Sequence, residues 1–298
     1  MSTLASLFRQ NALIQKMQQS KGSTLVELQA YIQNHPQLDG SEYSERTFFR
    51  DVKTIRTAHK IDIDYDRKNN IHCITTPTDE LNIKALESFE MLNALLGEEN
   101  FSEYILFSNR RPQGIQYFQQ LLEAIKTHKI VKFDYREFYE DKVDNCIVEP
   151  YALKEFKGRW YLLAKNLSDD KIARFGLHKM STVDTKPKTF KYPTGFDPKQ
   201  LFRNCFGIML PDEKDEVEQV ILSFDTQQGK YVKDYPLHES QKEIIDNDEE
   251  YRIALNVYIK FDFIMEILSY GEDVEVIAPE SLKTEVHKRY SNAKQLYD

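Results

Sequence analysis

The N-terminal part of the chain alternates between helical hydrophobic patterns and short polar breaks. Residues 4–19 carry apolar side chains at roughly helical spacing, at Leu4, Leu7, Phe8 and Ile14. Thr24 and Glu27 form a capping box before the helical stretch LVELQAYIQ. The following HPQLDGSEY has the composition of a loop. The pattern therefore predicts two helices and a loop.

The next segment, SERTFFRDVKTI, predicts a third helix, extending to about His59, with two different faces. At about 100° per residue, Phe48, Val52 and Ile55 form one apolar stripe. The opposite face is basic and hydroxyl-bearing, with Arg46, Thr47, Arg50, Lys53 and Thr57. Ser44 is a favourable N-cap, and Tyr43 and Phe48 stand in the positions of a hydrophobic staple. A basic face is usually only solvated, but residues 46–60 hold five cations against Asp51 alone.

A β-hairpin follows this helix. IDIDY alternates apolar and acidic residues with a period of two, DRKNN is a turn, and IHCIT is a second short strand. Three helices and a hairpin, with a basic third helix, predict a winged helix-turn-helix over residues 1–78. The third helix is expected in the DNA major groove, and Arg67 and Lys68 at the wing tip are expected at phosphates. The nine-residue loop before the third helix is longer than the usual turn of this motif.

Residues 79–125 are predicted to be a helical linker. The stretch DELNIKALESFEMLNALLG predicts an amphipathic helix that ends at Gly97. Residues 114–128 predict another, with apolar positions at Ile115, Phe118, Leu121, Leu122 and Ile125. These apolar faces fit packing within the chain or a dimer contact, and the sequence leaves the two alternatives open.

From residue 130 the pattern becomes that of strands. IVKFDYREF, DNCIVEPYALKEF, GRWYLLAKN, KIARFGLHKMSTVD and KPKTFKY are separated by short turns. They predict a small antiparallel β-domain, either a barrel or a sandwich, within residues 126–210. In GRWYLLAKN, Trp160, Leu162 and Ala164 share the face expected to be core. Arg159, Tyr161, Leu163 and Lys165 share the other face.

Residues 211–298 predict the element order β-α-β-β-α-β, which is that of a ferredoxin-like sandwich. This region is acidic, with 10 basic and 21 acidic side chains. Its carboxylates at Asp262, Glu266, Glu272 and Asp273 offer no metal three ligands at fixed spacing, and we expect a solvated rim.

Composition narrows the class of protein. The net charge of −8 arises in the C-terminal region, whereas residues 1–79 hold 10 basic and 9 acidic side chains. DNA binding by the N-terminal part is therefore compatible with the pI of about 5.5. No apolar run reaches the length of a membrane span, and we expect that the N-terminal segment does not act as a signal peptide. Cys73, Cys146 and Cys205 form no zinc or redox motif. We therefore expect a protein of the reducing cytoplasm that holds no structural metal ion.

Enzyme signatures are missing from the sequence. There is no GxSxG, P-loop, HExxH or paired-cysteine motif. We expect a protein without enzymatic activity and without a cofactor.

The ordered segments resemble those of the WYL-domain transcriptional regulators of bacteria. Trp160-Tyr161-Leu162 stands within VEPYALKEFKGRWYLLA, preceded by IVKFDY and followed by RFGLHKM and TFKYPTGFDP. The C-terminal SFD and ILSYGEDVEVIAPESL resemble the companion WCX domain, and SERTFFRDVKTI with its hairpin resembles the winged helix of these proteins. The resemblance implies an SH3-like or Sm-like barrel over residues 126–195. It also implies a homodimeric DNA-binding regulator whose WYL domain senses a negatively charged effector, such as a nucleotide or short single-stranded nucleic acid.

Candidate effector-binding residues are aromatic rings that can stack on bases and cations that can hold phosphates. They are Tyr135, Tyr151, Lys154, Arg159, Tyr161, Arg174, His178 and Lys179. The strand IARFGLHKM departs from the family pattern: Ala173 stands at the usual first arginine, Arg174 is displaced by one, and Lys179 replaces the second. A one-residue shift reverses the face of a side chain, so the orientation of Arg174 stays open.

We therefore expect a cytoplasmic, homodimeric regulator that binds double-stranded DNA and alters its binding in response to an effector. The alternative is a regulator without an effector, in which the β-domain only dimerises or contacts RNA polymerase. Operator, effector, regulated genes and the direction of regulation are not predicted.

Overall fold

The computed structural model describes residues 3–35, 38, 40, 42–59, 61–75, 114–137 and 142–298. The predicted helix ending at Gly97 lies outside them, as does Lys60. The chain divides into two compact units, residues 1–109 and 110–298, which are described in turn. Within the described ranges, no helix combines the length and the apolar character that crossing a bilayer requires.

The described part of the first unit has helices followed by a hairpin. The helices are α1 (Thr3–Ser20), α2 (Leu25–Gln33) and α3 (Glu45–Thr54), which continues as a π-helical segment (Ile55–His59). The hairpin strands β1 (Ile63–Asp66) and β2 (Ile71–Ile74) pair antiparallel. The predicted third helix is thus present, but its last turn is not regular α-helix. The Thr54 and Thr57 hydroxyls bond back to carbonyls of the preceding turn, which competes with the helical ladder.

Local sequence signals at the helix starts are confirmed. The Thr24 side chain accepts from the Glu27 amide, and the Glu27 carboxylate accepts from the Thr24 amide. Ser44 caps α3 through the Thr47 amide, and Tyr43 and Phe48 are both buried in the core of this unit. These contacts fix the entry of α2 and of α3.

The core of the first unit differs from the expectation for α1. The buried apolar side chains of α1 are Ala12, Leu13, Ile14 and Met17, whereas Leu7 and Phe8 are only partly buried. They pack with residues of α2, α3 and the hairpin in one cluster. The second half of α1 therefore carries the packing, because this half faces the other elements.

The second unit begins with a helix and a five-stranded antiparallel sheet. A 3₁₀ turn (Ile115–Tyr117) leads into α4 (Phe118–Lys126). The strands are β3 (Lys129–Glu137), β4 (Lys142–Phe156), β5 (Arg159–Asn166), β6 (Ile172–Gly176) and β7 (Met180–Thr189). Their spatial order is β6-β5-β4-β3-β7. Leu121 and Ala124 of α4 are buried among the sheet residues. The end of the predicted linker thus packs into the core of this sheet.

The predicted strand KIARFGLHKMSTVD is two strands. A 3₁₀ turn at Leu177–Lys179 separates β6 from β7. The break is required by topology, because β6 and β7 lie at opposite edges of the sheet. The chain must leave β5 and pair with β3. There β7 also includes KPKT, the first four residues of the predicted separate strand KPKTFKY. Pro187 is tolerated because β7 is an edge strand.

The two faces of the sheet are both covered. One face packs with α4, and Leu162 and Ala164 lie there fully buried beside the partly buried Trp160, as predicted. On the other face, Leu163 packs with Ile130, Tyr151 and Phe190, and with residues from the segment 192–210. This covering segment contains the short helix α5 (Pro198–Phe202). The packing of this segment on the second face of the sheet was not predicted.

The C-terminal module has the predicted alternation of elements. They are β8 (Glu218–Phe224), α6 (Thr226–Asp234), β9 (Lys242–Asp246), β10 (Tyr251–Val257), α7 (Phe261–Ser269), β11 (Val274–Ala278) and α8 (Glu280–Lys294). The strand order is β11-β8-β10-β9, and the pairs are antiparallel. Apolar residues that alternate along β8 and β10 meet α6, α7 and α8 in one core.

Candidate nucleic-acid interface and anion site

The outward face of α3 has the predicted residues in the predicted places. Arg46, Arg50, Lys53 and Thr57 are exposed, and Thr47 is partly exposed. Phe48 and Ile55 on the other side are fully buried. The buried apolar stripe determines the rotation of α3, so the cations project away from the core.

Asp51 belongs to the core and not to this basic face. It is 1% exposed. Its carboxylate accepts hydrogen bonds from Arg9 Nε at 3.0 Å and from the Tyr43 hydroxyl at 3.0 Å. Burial, followed by the Asp51 charge, raises the pKa of Tyr43. Asp51 is thus paired with Arg9 inside the core. It therefore does not offset the positive charge on the exposed face of α3.

Arg56, in contrast, is held by the hairpin. Its guanidinium lies 2.6 Å from Asp62 and 3.5 Å from Asp64. The cations of α3 with no carboxylate partner among the described residues are Arg46, Arg50 and Lys53. A face with such a charge excess suits a polyanion.

The tip of the hairpin presents the two predicted cations. Arg67 and Lys68 are exposed in the turn between β1 and β2. The Asp66 carboxylate accepts from the Lys68 amide at 2.9 Å and from the Asn69 side chain at 2.7 Å. These bonds lower the pKa of Asp66, the Asn69 bond most. The turn is therefore closed by its own side chains, and Arg67 and Lys68 extend from a defined backbone.

In the second unit, strand register brings several candidate effector residues to one face. Tyr161 of β5 pairs with Lys154 of β4 and with Gly176 of β6. Leu163, two residues along β5, pairs with Arg174. Cross-strand partners project to the same side of a sheet, so Lys154, Tyr161 and Arg174 share a face. The sequence left open which face of the sheet Arg174 projects from. In the structure, Arg174 lies on the same face as Tyr161, and Ala173 packs on the opposite face, which α4 covers.

Lys154 and Arg174 lack an anionic partner within the described residues. Lys154 lies 4.8 Å from the centre of the Phe202 ring, and burial lowers its pKa. Arg174 Nη2 lies 2.8 Å from the Met209 sulfur, which is a weak acceptor. Both partners belong to the covering segment. Two partly buried cations on one sheet face, neither in a salt bridge within the described residues, form a candidate anion site.

The other basic candidates, Arg159, His178 and Lys179, differ in their surroundings. The His178 ring meets Tyr161 edge to face, with centroids 6.1 Å apart. Burial, and then the charges of Arg159 and Lys179, lower the pKa of His178. Arg159 is exposed at the start of β5. Lys179 is directed elsewhere: it lies 3.6 Å from Glu137 and 5.6 Å from the centre of the Tyr135 ring.

Tyr135 and Tyr151 are packing residues in this structure. Tyr135 is 7% exposed on the α4-covered face, and its hydroxyl oxygen accepts from the Gly176 amide. Burial raises its pKa to about 12. Tyr151 is 3% exposed beneath the covering segment and donates to Glu149. The structure does not bring either ring to the surface beside Lys154 and Arg174.

Asp262 joins the sheet region to the C-terminal module. Its Oδ2 accepts from the Ile208 amide at 2.9 Å and the Met209 amide at 3.0 Å. A Cβ at Gly207 would lie 2.6 Å from this oxygen, so the close approach requires glycine. The expectation of a solvated carboxylate is therefore wrong for Asp262, which holds the backbone of the residue that contacts Arg174. The sequence missed this role because Asp262 and Met209 are far apart in the chain.

A cleft of about 640 Å³ lies between the β4–β5 turn and helices α6 and α7. Its lining is aromatic and acidic, with Phe156, Phe206, Tyr231, Tyr235, Tyr270, Glu155, Asp234 and Glu266. Glu266 is also not a solvated rim residue, because it pairs with Lys157 and accepts from the Tyr270 hydroxyl. Glu272 and Asp273 are exposed, as expected. Carboxylates outnumber cations in this lining, so the cleft does not suit a phosphate group.

Comparison with protein families finds a match in each part of the second unit. Residues 116–185 match the model of the WYL domain, and residues 216–293 match the model of the WCX domain. The WYL match includes α4 and the strands that carry Lys154, Tyr161 and Arg174. A comparison with curated proteins gives no significant match.

Two solved structures show similarity over most of the chain. Proteasome accessory factor B/C (PafBC) of Arthrobacter aurescens is 17% identical, with a TM-score of 0.37. The alignment covers 95% of this chain and 46% of that chain, so the protein spans about half the length of PafBC. A CRISPR Cas-related protein is 11% identical with a TM-score of 0.41, and the alignment covers 100% of this chain and 87% of that one.

Proposed function

The chain is a WYL- and WCX-domain protein, and from this we propose that it is a transcriptional regulator that binds double-stranded DNA and answers to an anionic effector. We assign DNA binding to the first unit, as a winged helix-turn-helix, and effector binding to the WYL sheet, as an SH3-like or Sm-like barrel. The β11-β8-β10-β9 order supports a ferredoxin-like fold for the WCX domain. We further propose that the protein acts as a homodimer in the bacterial cytoplasm.

The observation that carries the DNA-binding assignment is the uncompensated charge on α3. Arg46, Arg50 and Lys53 project outward, while Asp51 is buried against Arg9. A helix of this kind can enter the major groove, where phosphate contacts supply affinity and one or two side chains read bases. We assign Arg67 and Lys68, exposed at the hairpin tip, to phosphates beside the groove.

A double substitution on α3 tests this assignment. Arg46→Ala/Arg50→Ala is expected to weaken duplex binding by at least about 30-fold, since each lost base contact is worth about 1–3 kcal/mol and two together at least about 2 kcal/mol. Fluorescence anisotropy across a salt series measures both the affinity and the salt slope. The matched control, Lys288→Ala/Lys294→Ala, removes the same charge from exposed positions of α8. Equal affinities for the two double variants would refute the assignment.

The effector assignment is supported by Lys154 and Arg174. Their contacts are to the Phe202 ring and the Met209 sulfur, both of which an anion can replace with stronger charge-assisted bonds. Tyr161 lies between their strands and offers a ring on which a base can stack. A nucleotide or a short single strand combines both features.

Ligand-dependent DNA affinity tests the sensor. Nucleotides and short single-stranded oligonucleotides are titrated into a complex of the protein with its duplex. An effector is expected to shift the duplex affinity, and the duplex must shift the effector affinity by the same factor. Lys154→Ala/Arg174→Ala should abolish the shift. Lys165→Ala is the control, because Lys165 is on the same strand as Tyr161 but already pairs with Asp170 at 2.7 Å.

The competing function is a regulator without an effector. Its support is the covering segment, which already places Phe202 over Lys154 and Met209 at Arg174. On this alternative the WYL sheet only dimerises or contacts RNA polymerase. DNA affinity that is the same with and without every anion tested would favour it.

A further inference from the structure

Phe49 is a half-exposed aromatic residue on the helix that we assign to DNA. Its side chain is 51% exposed, although its neighbour Phe48 is fully buried. Single exposed apolar side chains are common on protein surfaces, so exposure by itself carries no meaning. The position and the support of the ring are the informative features.

The Phe49 ring is held by other rings and is not a loose surface group. It meets Phe48 edge to face with centroids 5.3 Å apart, and it meets the buried His72 at 6.2 Å. His72 in turn contacts Tyr65, which is 49% exposed on β1. Ring contacts thus run from Phe49 on α3 through the buried His72 to Tyr65 on the hairpin, and they hold the Phe49 ring in place.

Phe49 also borders the basic face of α3. At about 100° per residue, it lies about 40° from Lys53 and about 60° from Arg46 around the helix axis. On its far side, Arg56 is neutralised by Asp62 and Asp64. A duplex that contacts Arg46 and Lys53 therefore meets Phe49 next, as an apolar group beside these two cations.

We propose that Phe49 reads the C5 methyl group of a thymine in the major groove. The inference rests on the proposed DNA-binding function and adds a specificity determinant to it. Base edges in the major groove offer hydrogen-bonding groups, which a phenyl ring cannot satisfy, and the thymine methyl, which it can cover. The held ring loses little rotamer freedom on contact, which favours a defined position.

Removal of single methyl groups from the DNA tests this directly. A duplex is first selected from a random library, and each thymine is then replaced in turn by deoxyuridine, which lacks only the methyl. Wild-type protein should lose about fourfold in affinity at one thymine of each half-site, which corresponds to ~0.8 kcal/mol for one buried carbon group. Phe49→Ala should bind thymine and deoxyuridine duplexes equally, while Phe49→Leu should retain part of the preference. Phe261→Ala, at a phenylalanine of similar 54% exposure in the C-terminal module, is the control.

The outcomes separate this inference from the function on which it rests. A library that yields no preferred duplex overturns DNA reading itself. A preferred duplex whose affinity is indifferent to every thymine methyl overturns the role of Phe49 alone. A methyl preference that persists in Phe49→Ala overturns it equally, because another side chain must then make the contact.

Discussion

The buried carboxylate of Asp51 links three parts of the first unit: α1 through Arg9, the start of α3 through Tyr43, and α3 itself. The sequence pattern indicates the inward direction of Asp51 but not its partner. Asp51 lies about 60° from Phe48 around the helix, on the inward side, but its partner Arg9 is 42 positions away in the chain. A helical wheel shows which way a side chain points and does not show what it meets.

Removal of Arg9 should therefore be costly. Arg9→Ala leaves the Asp51 carboxylate buried without its cation, and we expect the free energy of unfolding to fall by about 3–5 kcal/mol. Urea denaturation measures this. The double variant Arg9→Met/Asp51→Leu removes both charges and should recover part of the loss, since the buried Tyr43 hydroxyl then lacks its acceptor. A single-variant effect below about 1 kcal/mol would contradict this role for the pair.

Histidines whose pKa is lowered by burial should make the fold sensitive to mild acid. Burial lowers the pKa of His72 from its ordinary 6.5, and burial acts likewise on His238. The folded protein then binds these protons less readily than the unfolded chain. The contribution of these neutral histidines to the free energy of unfolding is therefore complete above pH 6.5, and it is lost as the pH falls below that value.

The measurement is the free energy of unfolding between about pH 7 and pH 5.5, a window above the titration of most carboxylates. Wild type should lose stability as the pH falls, and His72→Gln should show a flatter slope. His287→Gln, at an exposed histidine of α8, should keep the wild-type slope. Identical slopes for wild type and His72→Gln would exclude a contribution from His72.

Predicted and observed secondary-structure elements agree best where the sequence pattern is local. The capping box of α2, the hairpin and the alternation of the C-terminal module depend on neighbours in the chain, and each appears as predicted. The break at Leu177–Lys179 was missed because it is imposed by the sheet order, which no local pattern encodes. The candidate anion site was predicted only in part for the same reason. Residue type selected Lys154, Tyr161 and Arg174, but also Tyr135 and Tyr151, which the tertiary structure buries.

The contact between α7 and the covering segment should be a stable link inside the second unit. Asp262→Ala removes the acceptor of the Ile208 and Met209 amides, and we expect a loss of about 2 kcal/mol. Hydrogen exchange should show faster exchange at these two amides, with the sheet amides of β4 and β5 unchanged. Glu272→Ala, at an exposed carboxylate beyond the same helix, is the control. Unchanged protection at residues 208 and 209 would show that the link is dispensable.

The charge is distributed unevenly along the chain, and this distribution fits DNA binding by the N-terminal unit. Residues 1–79 are close to neutral overall, yet α3 shows its cations outward and withdraws Asp51. Residues 211–298 carry 21 acidic against 10 basic side chains. An acidic C-terminal region repels phosphates, so a duplex should meet the first unit and should not be wrapped by the WCX domain.

Selection from a random duplex library tests the DNA-binding proposal most directly. Wild-type protein should enrich an inverted repeat with half-sites about one helical turn apart, as a symmetric dimer requires. Arg46→Ala/Arg50→Ala should enrich nothing under the same conditions, and Lys288→Ala/Lys294→Ala should enrich the wild-type sequence. Weak, salt-sensitive binding with no enriched sequence, in the presence or absence of nucleotides and oligonucleotides, would contradict a sequence-reading function for α3.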